Sequence, residues 1–254
     1  MKRYIYIFIS ILVLTSILVG CSKGDDPTNE TQYEETVILE ATVIDGENGL
    51  LVTPVEGSSE LNSSDKIMVH LSSEEGEEQD SSEEEFKPGD LIKVTYDGRI
   101  AESYPAQIWA SKVELLGRNL LIDGYKVMID DIYLEDPALN DGIKMIALDT
   151  SEWIALSNAE KEALFNVLKA SYDMEIIEAT HEELKEMDLL DEEGLYFKEG
   201  ILIKIEDMEY DKDSYELEAD ISKWRSGDGA IGWTATASYK DGQWKINRDD
   251  YWIS

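Results

Sequence analysis

The sequence predicts an α+β protein with two folded domains: a small N-terminal β-barrel, and a second domain in which helices pack on a curved antiparallel sheet. Three observations support this fold class. Between residues 36 and 116, short apolar runs alternate with period two, and no helical spacing separates them. Helical spacing appears from Ser157, and alternation returns for good after Gly200. Because 43% of the residues are hydrophobic, the chain can bury a core in each domain.

The first 20 residues are organised like a secretory signal peptide. Lys2 and Arg3 supply positive charge, and the largely apolar residues 4–19 that follow are short for a stable membrane span. The run Leu18-Val19-Gly20-Cys21 resembles the lipobox of bacterial lipoprotein signals, in which the cysteine receives a diacylglyceryl group and a peptidase cuts before it. The resemblance implies a protein anchored by the lipid on Cys21 to the extracytoplasmic face of the cell membrane. An uncleaved anchor helix and secretion with a free thiol stay open as alternatives.

Composition limits the partners of the mature protein. The chain has one cysteine, so Cys21 has no partner for a disulfide, and a modified thiol is the simplest explanation. Residues 21–35 are polar and contain Gly, Pro, Asp and Thr, as is typical of a flexible linker. With 22 Lys+Arg against 56 Asp+Glu, the net charge is −34, which argues against nucleic acid because its binding depends on cationic side chains. Besides the membrane, envelope proteins or a small ligand remain as partners.

Residues 36–117 are predicted to form the β-barrel domain. Turn-forming residues separate the strands at residues 45–49, 86–90 and 97–98. Five short strands without an intervening helix predict a small barrel or sandwich, and of these we favour a partly open barrel of the OB type. The apolar positions of the five strands are Val37, Leu39, Ala41 and Val43; Leu50 to Val52; Ile67, Val69 and Leu71; Ile92, Val94 and Tyr96; and Ile108, Ala110 and Val113.

Part of this domain resembles the YobA-type family of small β domains. The resemblance lies in Lys87-Pro88-Gly89-Asp90, in Tyr96-Asp97-Gly98, and in the run from Glu102 to Ile108 with Ala110 close behind. That family occurs in lipoproteins of Gram-positive bacteria and has no assigned activity. The resemblance therefore implies a β fold and an envelope setting, and it carries over no catalytic residue.

An acidic segment interrupts the barrel sequence. Residues 74–85 contain eight acids in twelve positions. We interpret the segment as a solvated surface loop, and a diffuse collector of Ca²⁺ or Mg²⁺ is the alternative. His70 lies on the opposite parity to Val69 and Leu71 and is expected to face solvent. Two histidines and one cysteine do not make up the usual zinc ligand set, so no zinc site is predicted.

Residues 118–254 are predicted to form the α+β domain. Ser157 with Glu160, and Thr180 with Glu183, have the spacing of capping boxes, and each pair predicts the start of a helix. His181, in the first turn of the second helix, is expected to be an exposed residue rather than a catalytic base. Short strands are predicted at residues 143–148 and 174–178, whereas residues 118–141 show no clear pattern.

The chain beyond Gly200 is predicted to form long antiparallel strands. A sheet of this kind that curves around a helix is typical of cystatin-like or NTF2-like cones, which often contain a pocket. The run from Lys223 to Gly227, with Gly229-Ala230 and the final Trp252-Ile253-Ser254, also resembles a C-terminal module of uncharacterised Gram-positive envelope proteins. That second resemblance implies no activity.

Four residues are candidates for binding a ligand in such a pocket. Trp224, Trp233 and Tyr239 offer aromatic surface, and Arg225 is one of few cations among many acids. Together they would suit a flat or anionic group. Core filling for the aromatic residues, and a structural salt bridge for Arg225, are the alternatives. Trp224 shares the parity of the acids before it, so either a bulge turns it inward or it lies on the polar face.

A second candidate site is a weak Ca²⁺ loop. Places 1, 3, 5, 7 and 12 of an EF-hand-like spacing are occupied by Asp207, Glu209, Asp211, Asp213 and Glu218. Lys212 stands where the loop needs glycine, and strand patterns flank the segment. A charged hairpin turn is therefore the alternative, and no cofactor other than weakly bound Ca²⁺ is predicted.

The sequence favours a binding or interaction protein over an enzyme. It contains no Gly-rich phosphate loop, no nucleophile elbow and no His/carboxylate metal motif. A carboxylate- or divalent-cation-dependent envelope hydrolase stays open, because its two acids would not have to be close in sequence. We expect a membrane-anchored, extracytoplasmic, non-catalytic protein.

Overall fold

The computed structural model describes residues 36–71 and 85–254, which form one compact unit. The expected signal peptide (1–20), Cys21, the linker (21–35) and residues 74–84 of the acidic segment lie outside the described residues. The strands are β1 (Val37–Asp45), β2 (Leu50–Pro54), β3 (Ile67–Leu71), β4 (Asp90–Tyr96), β5 (Ala106–Arg118), β6 (Met145–Asp149), β7 (Glu175–Glu178), β8 (Gly200–Asp211), β9 (Glu216–Ser226), β10 (Gly229–Lys240) and β11 (Gln243–Ile253). The α-helices are α1 (Leu120–Leu134), α2 (Asn158–Ser171) and α3 (His181–Glu186).

The first five strands form a barrel, as predicted, but the barrel is closed rather than partly open. Its order is β1-β2-β3-β5-β4, and β1 closes the ring because it pairs with both β2 and β4. β3 and β5 are parallel, and the other neighbours are antiparallel. The alternating apolar residues fill the interior, since each strand turns every second side chain inward. The core includes Leu39, Ala41, Val43, Val52, Ile67, Val69, Ile92, Val94, Tyr96, Ile108 and Ala110.

Glu60 is one of the buried carboxylates in this part of the chain. Glu60 lies on a short 3₁₀ turn and accepts hydrogen bonds from the hydroxyl of Tyr96 at 2.8 Å and from those of Ser58 at 2.5 Å and Ser59 at 3.1 Å. Burial acts to raise the pKa of Glu60, but the hydrogen bonds from Ser58 and Tyr96 outweigh it and hold that pKa below its ordinary value. The ionised carboxylate is thus part of the folded barrel.

The second sheet is mixed, which corrects the prediction of an antiparallel sheet. Its order is β11-β10-β9-β8-β6-β7. β8 to β11 form an antiparallel meander, whereas β6 is parallel to both β7 and β8. The difference arises because α2 connects β6 to β7 as a crossover, and a crossover returns the chain in the same direction. The helices α1 and α2 pack on one face of this sheet and share its largest core.

The sequence pattern did not reveal α1, whereas both predicted capping boxes are confirmed. Ser157 caps α2 and Thr180 caps α3, each with the reciprocal bonds of a capping box. The helix α1 begins after Asn119, whose side-chain oxygen accepts from the amides of residues 121 and 122. Gly124 interrupts the helical sequence pattern of α1. A glycine is needed at this position because a methyl group would lie 3.0 Å from the Trp244 ring. No helix within residues 36–71 and 85–254 is both long enough and apolar enough to span a bilayer.

The barrel and the second sheet pack directly on each other. Ile44 of β1 belongs to the core beneath α1 and α2, and its carbonyl accepts a 2.9 Å bond from Asn166 of α2. Asn119 donates to the Thr42 hydroxyl at 2.9 Å. At the junction, Arg118 pairs with Asp90 at 3.0 Å and with Asp123 at 2.8 Å. These contacts join the two parts of the compact unit.

Lys223 of β9 satisfies the C-terminal end of α1. Its ammonium donates to the carbonyl of Tyr133 at 3.2 Å, to that of Asp136 at 3.2 Å and to that of Glu135. The residue is fully buried, and this burial lowers its pKa to about 8 although the acids nearby act to raise it. A lysine here supplies donors to helix carbonyls that have no partner within the helix.

Candidate functional site

The second sheet presents one face to α1 and α2. Its opposite face is covered by α3 at one end, where Leu202 and Trp224 pack against Leu184, and is exposed around Glu206, Glu209 and Asp220. Along β9, Leu217, Ala219 and Ile221 pack in the core beneath α1 and α2. Their neighbours Glu216, Glu218 and Asp220 therefore lie on the opposite face, because side chains alternate along a strand. We call this second face of β8 to β11 the outer face.

A groove of about 330 Å³ lies on the outer face, and we call it the end groove. Its lining combines carboxylates, hydroxyls and indoles. The described residues that line it include no lysine, arginine or histidine. Such a volume is at the small end of the range for ligand pockets. The lining residues are Glu206, Asp220, Ile221, Ser222, Trp233, Thr234, Asp250 and Trp252.

The wall of the end groove depends on a glycine. Gly232 of β10 is paired with Trp252 of β11 and with Ser222 of β9. A methyl group at Gly232 would come within 2.6 Å of Trp252 Cζ2 and 2.8 Å of the Ile221 carbonyl oxygen, so the indole lies directly over the glycine backbone. Trp252 is 46% exposed. The arrangement fixes one side of an indole and leaves part of the ring accessible to a ligand.

Acidic residues stand directly opposite each other on β8 and β9. The three cross-strand pairs are Glu206 with Asp220, Glu209 with Glu218, and Asp211 with Glu216. A register shift between Asp207 and Glu209 keeps all three pairs on the outer face. We call these six residues the acidic ladder. Like charges directly opposite each other destabilise a sheet, so the ladder is a local cost to folding.

The two pairs at the ends of the ladder have hydrogen-bond or ion-pair partners nearby. Lys204 lies 2.9 Å from Glu206, and the Thr234 hydroxyl donates to Asp220 at 2.6 Å. The ion pair with Glu206 raises the pKa of Lys204. At the other end, Asp211 accepts from the hydroxyl of Ser214 and from backbone amides of the turn, and these bonds lower its pKa.

The middle pair of the ladder is different. Within the part of the chain that the structure describes, neither the Glu209 carboxylate nor the Glu218 carboxylate has a hydrogen-bond or ion-pair partner. Thr236 of β10 lies beside Glu218 in the register. Two adjacent carboxylates at this position therefore have acceptor capacity that no neighbouring cation uses.

The predicted aromatic site does not form around Arg225. The residue donates to the carbonyls of Leu139 at 2.8 Å and Asp141 at 2.7 Å, and to the Tyr196 hydroxyl at 3.2 Å. The structural salt bridge considered as the alternative for Arg225 is not present among the described residues either. The guanidinium donates its hydrogen bonds to backbone carbonyls instead of to a carboxylate. Trp224 lies on the outer face, like the acids before it in β9, because no bulge interrupts its pairing with β8. At this end of the sheet α3 packs over it.

The other two residues of the predicted aromatic site are separated from Trp224. Trp233 is 2% exposed and packs in the helix-side core, with the guanidinium of Arg248 4.3 Å from its ring centroid. Tyr239 lies near the far end of β10, where its ring is 5.4 Å from that of Trp244. Trp233 alone also lines the end groove. The four residues thus share no cavity.

The predicted Ca²⁺ loop does not form either. Asp207 lies on the helix side, where its carboxylate accepts from the Tyr125 hydroxyl and from the amides of residues 154 and 155. Asp213 lies in the turn after β8, and Glu209, Asp211 and Glu218 belong to the acidic ladder. Among the described residues, no three side chains of His, Cys, Asp or Glu come close enough together to hold a metal ion. The strand geometry spreads the five acids instead of closing them around one point.

Both histidines contact tryptophans. His70 stacks on Trp109 with ring centroids 5.4 Å apart and lies 3.1 Å from the Gln107 side chain. His181 lies edge-on to Trp224 at 4.8 Å, and its Nε2 is 3.1 Å from the carbonyl oxygen of Gly194. These contacts give each imidazole a packing role.

Part of the chain is similar to a known protein family. Residues 34–117 match the model of a family described as a protein of unknown function (DUF3221). The matched range covers the five barrel strands except the last residue of β5. No curated protein and no solved structure matches the chain. The end groove and the acidic ladder both lie outside the matched range.

Proposed function

We propose that this chain is a lipid-anchored, extracytoplasmic, non-catalytic binding protein whose ligand site is the outer face of the second sheet. The anchor is supported by the lipobox-like sequence that ends at Cys21, the single cysteine of the chain. Attachment through two acyl chains is effectively permanent. The linker that follows would hold the folded unit away from the membrane.

The end groove is the observation that carries the binding function. It combines an accessible indole with hydroxyl and carboxylate groups that have open acceptor positions. Convergent polar groups around an apolar surface are the usual mark of a ligand site. A non-catalytic role is favoured because the described residues that line the groove include no histidine, lysine or cysteine to act as a base or a strong nucleophile.

We also propose finer fold relationships. The barrel would be of the OB type, which is supported by the parallel pairing of β3 with β5 and by closure of β1 on β4. A cystatin-like or NTF2-like relationship of the second sheet is supported by the meander β8 to β11 that packs against α1. Membership of the YobA-type family is supported by the position of its motifs, residues 86–115, inside the range that matches the family of unknown function.

The anchor is tested by labelling cells that express the full chain with an alkyne-bearing palmitate. The wild-type protein and the neighbouring control Ser22→Ala should both carry label and sediment with membranes. The variant Cys21→Ala should lose the label and keep an uncut N-terminus, as read by mass spectrometry. Label retained in Cys21→Ala would disprove the anchor.

The binding function is tested separately, on the full chain in detergent. We expect at least one of three small probes, N-acetylglucosamine, choline and spermidine, to raise the melting temperature of the wild-type protein, since a ligand that binds the native state stabilises it. The rise should disappear in Trp252→Ala. A rise of equal size in Trp252→Ala, or no rise with any of the three probes, would contradict the proposed site.

A further inference from the structure

We propose that the outer face binds a linear organic polycation, with the end groove and the acidic ladder acting as one elongated site. The inference rests on the proposed binding function and specifies the class of its ligand. Spermidine, a small linear polyamine, is the probe we choose to represent that class.

Charge gives the first argument. Three carboxylates line the end groove, from Glu206, Asp220 and Asp250, and the described residues of its lining include no cationic side chain. Lys204 lies beside the groove and pairs with Glu206, which leaves Asp220 and Asp250 without a cationic partner among the described residues. The exposed part of the Trp252 ring adds a surface that attracts ammonium groups. The net charge of −34 would steer cations towards the protein and repel anions.

The continuity of the site gives the second argument. The pair Glu206 with Asp220 belongs both to the end groove and to the acidic ladder. From there the ladder continues along β9 in steps of two residues, which are about 7 Å each at the rise of a strand. A ligand seated on Trp252 can therefore extend over successive pairs of carboxylates.

The middle pair gives the third argument. Glu209 and Glu218 stand opposite each other and have no cationic partner among the described residues. A cation placed between them would relieve a repulsion that exists in the free protein. Because the carboxylates of the ladder are spread along a strand pair and do not converge, the arrangement favours a chain of ammonium groups over a single metal ion.

The test is a titration of the full chain in detergent with spermidine at fixed ionic strength, by isothermal calorimetry. The double variant Glu209→Gln/Glu218→Gln removes two charges from the ladder. The control Glu192→Gln/Glu193→Gln removes two charges from exposed positions after α3. We expect the ladder variant to bind at least tenfold more weakly than the wild type, and the control to stay within twofold. Trp252→Phe should retain more affinity than Trp252→Ala.

Three results would overturn the inference. The ladder and control variants could weaken binding equally, which would show that net charge alone attracts the probe. A variant that lacks residues 74–84 could lose binding while the ladder variant keeps it, which would place the polycation on the acidic segment. Spermidine could also fail to bind while N-acetylglucosamine or choline binds in a Trp252-dependent way, in which case the proposed binding function stands and the polycation does not.

Discussion

Replacing Glu218 with glutamine should make the protein more stable. Glu218 stands directly opposite Glu209 on the outer face, and neither carboxylate has a cationic partner in the described part of the chain. Glutamine keeps the shape of the side chain and removes one of the two opposed charges. Cross-strand charge pairs change stability by about 0.2–1 kcal/mol, so the free energy of unfolding should rise by an amount in that range. For a protein of about this size, the melting temperature should rise by roughly 0.5–4 °C.

The assay is urea unfolding of wild type and variant in the same detergent, at low and at high salt. The gain should shrink in about 1 M NaCl, where the screening length is only about 3 Å. Adding Glu209→Gln to Glu218→Gln should bring little further gain, because the repulsion is already absent. Glu192→Gln is the matched control and should change the unfolding free energy by less than Glu218→Gln does. A loss of stability in Glu218→Gln, or a gain equal to that of the control, would refute the description of the ladder as a local cost.

Three further outcomes follow from the fold. Gly232→Ala should lower the unfolding free energy by about 1–3 kcal/mol in urea, because its methyl group would collide with the Trp252 ring and with backbone; an unchanged value would mean that the indole is not seated on the glycine. Ser157→Ala should cost about 0.5–2 kcal/mol in the same assay through loss of the α2 cap, and a neutral result would contradict the capping box. The pKa of Glu60 is lower in the folded state, so its contribution is present above about pH 4.5 and is lost as pH falls through the folded pKa. The stability difference between wild type and Glu60→Gln should therefore narrow as pH falls from 7 towards 3, and a difference that widens would contradict the sign.

The barrel was predictable because its strands alternate cleanly. In a barrel strand one face is buried in the interior, so apolar residues occur at every second position. Ile92, Val94 and Tyr96 of β4 are an example. The capping boxes at Ser157 and Thr180 were equally informative, since the cap bonds are local. In each case neighbouring residues alone contain the information.

The sequence concealed features that depend on distant partners. The helix α1 is apolar around much of its circumference, so it lacks a clear polar face in the sequence. It also contains Gly124, which is needed because Trp244, about 120 residues away in the sequence, packs against it. The parallel pairing of β6 with β8 places residues about 55 positions apart side by side, and no local pattern specifies which strands become neighbours. The mixed sheet could therefore not be derived from alternation.

The candidate site was only partly predictable. The acids chosen for a Ca²⁺ loop do include three members of the ladder, Glu209, Asp211 and Glu218, but a linear spacing cannot show that a hairpin sets them opposite each other. Counting back from the turn between β8 and β9 gives the pair Asp211 with Glu216, which is the signal that could have revealed the ladder. The role of Gly232 under Trp252 depends on the β10–β11 register, which includes a shift before Thr234.

The most direct measurement of ligand binding at the outer face is an NMR titration of the full chain that follows its tryptophan indole N–H resonances, assigned by single Trp→Phe variants. Spermidine should shift the resonance of Trp252 and leave that of the core residue Trp153 in place. The opposite result would contradict this binding site: a shift of the Trp109 resonance with that of Trp252 unchanged. Trp109 lies on β5, which pairs with β3, the strand that precedes the acidic segment in the sequence.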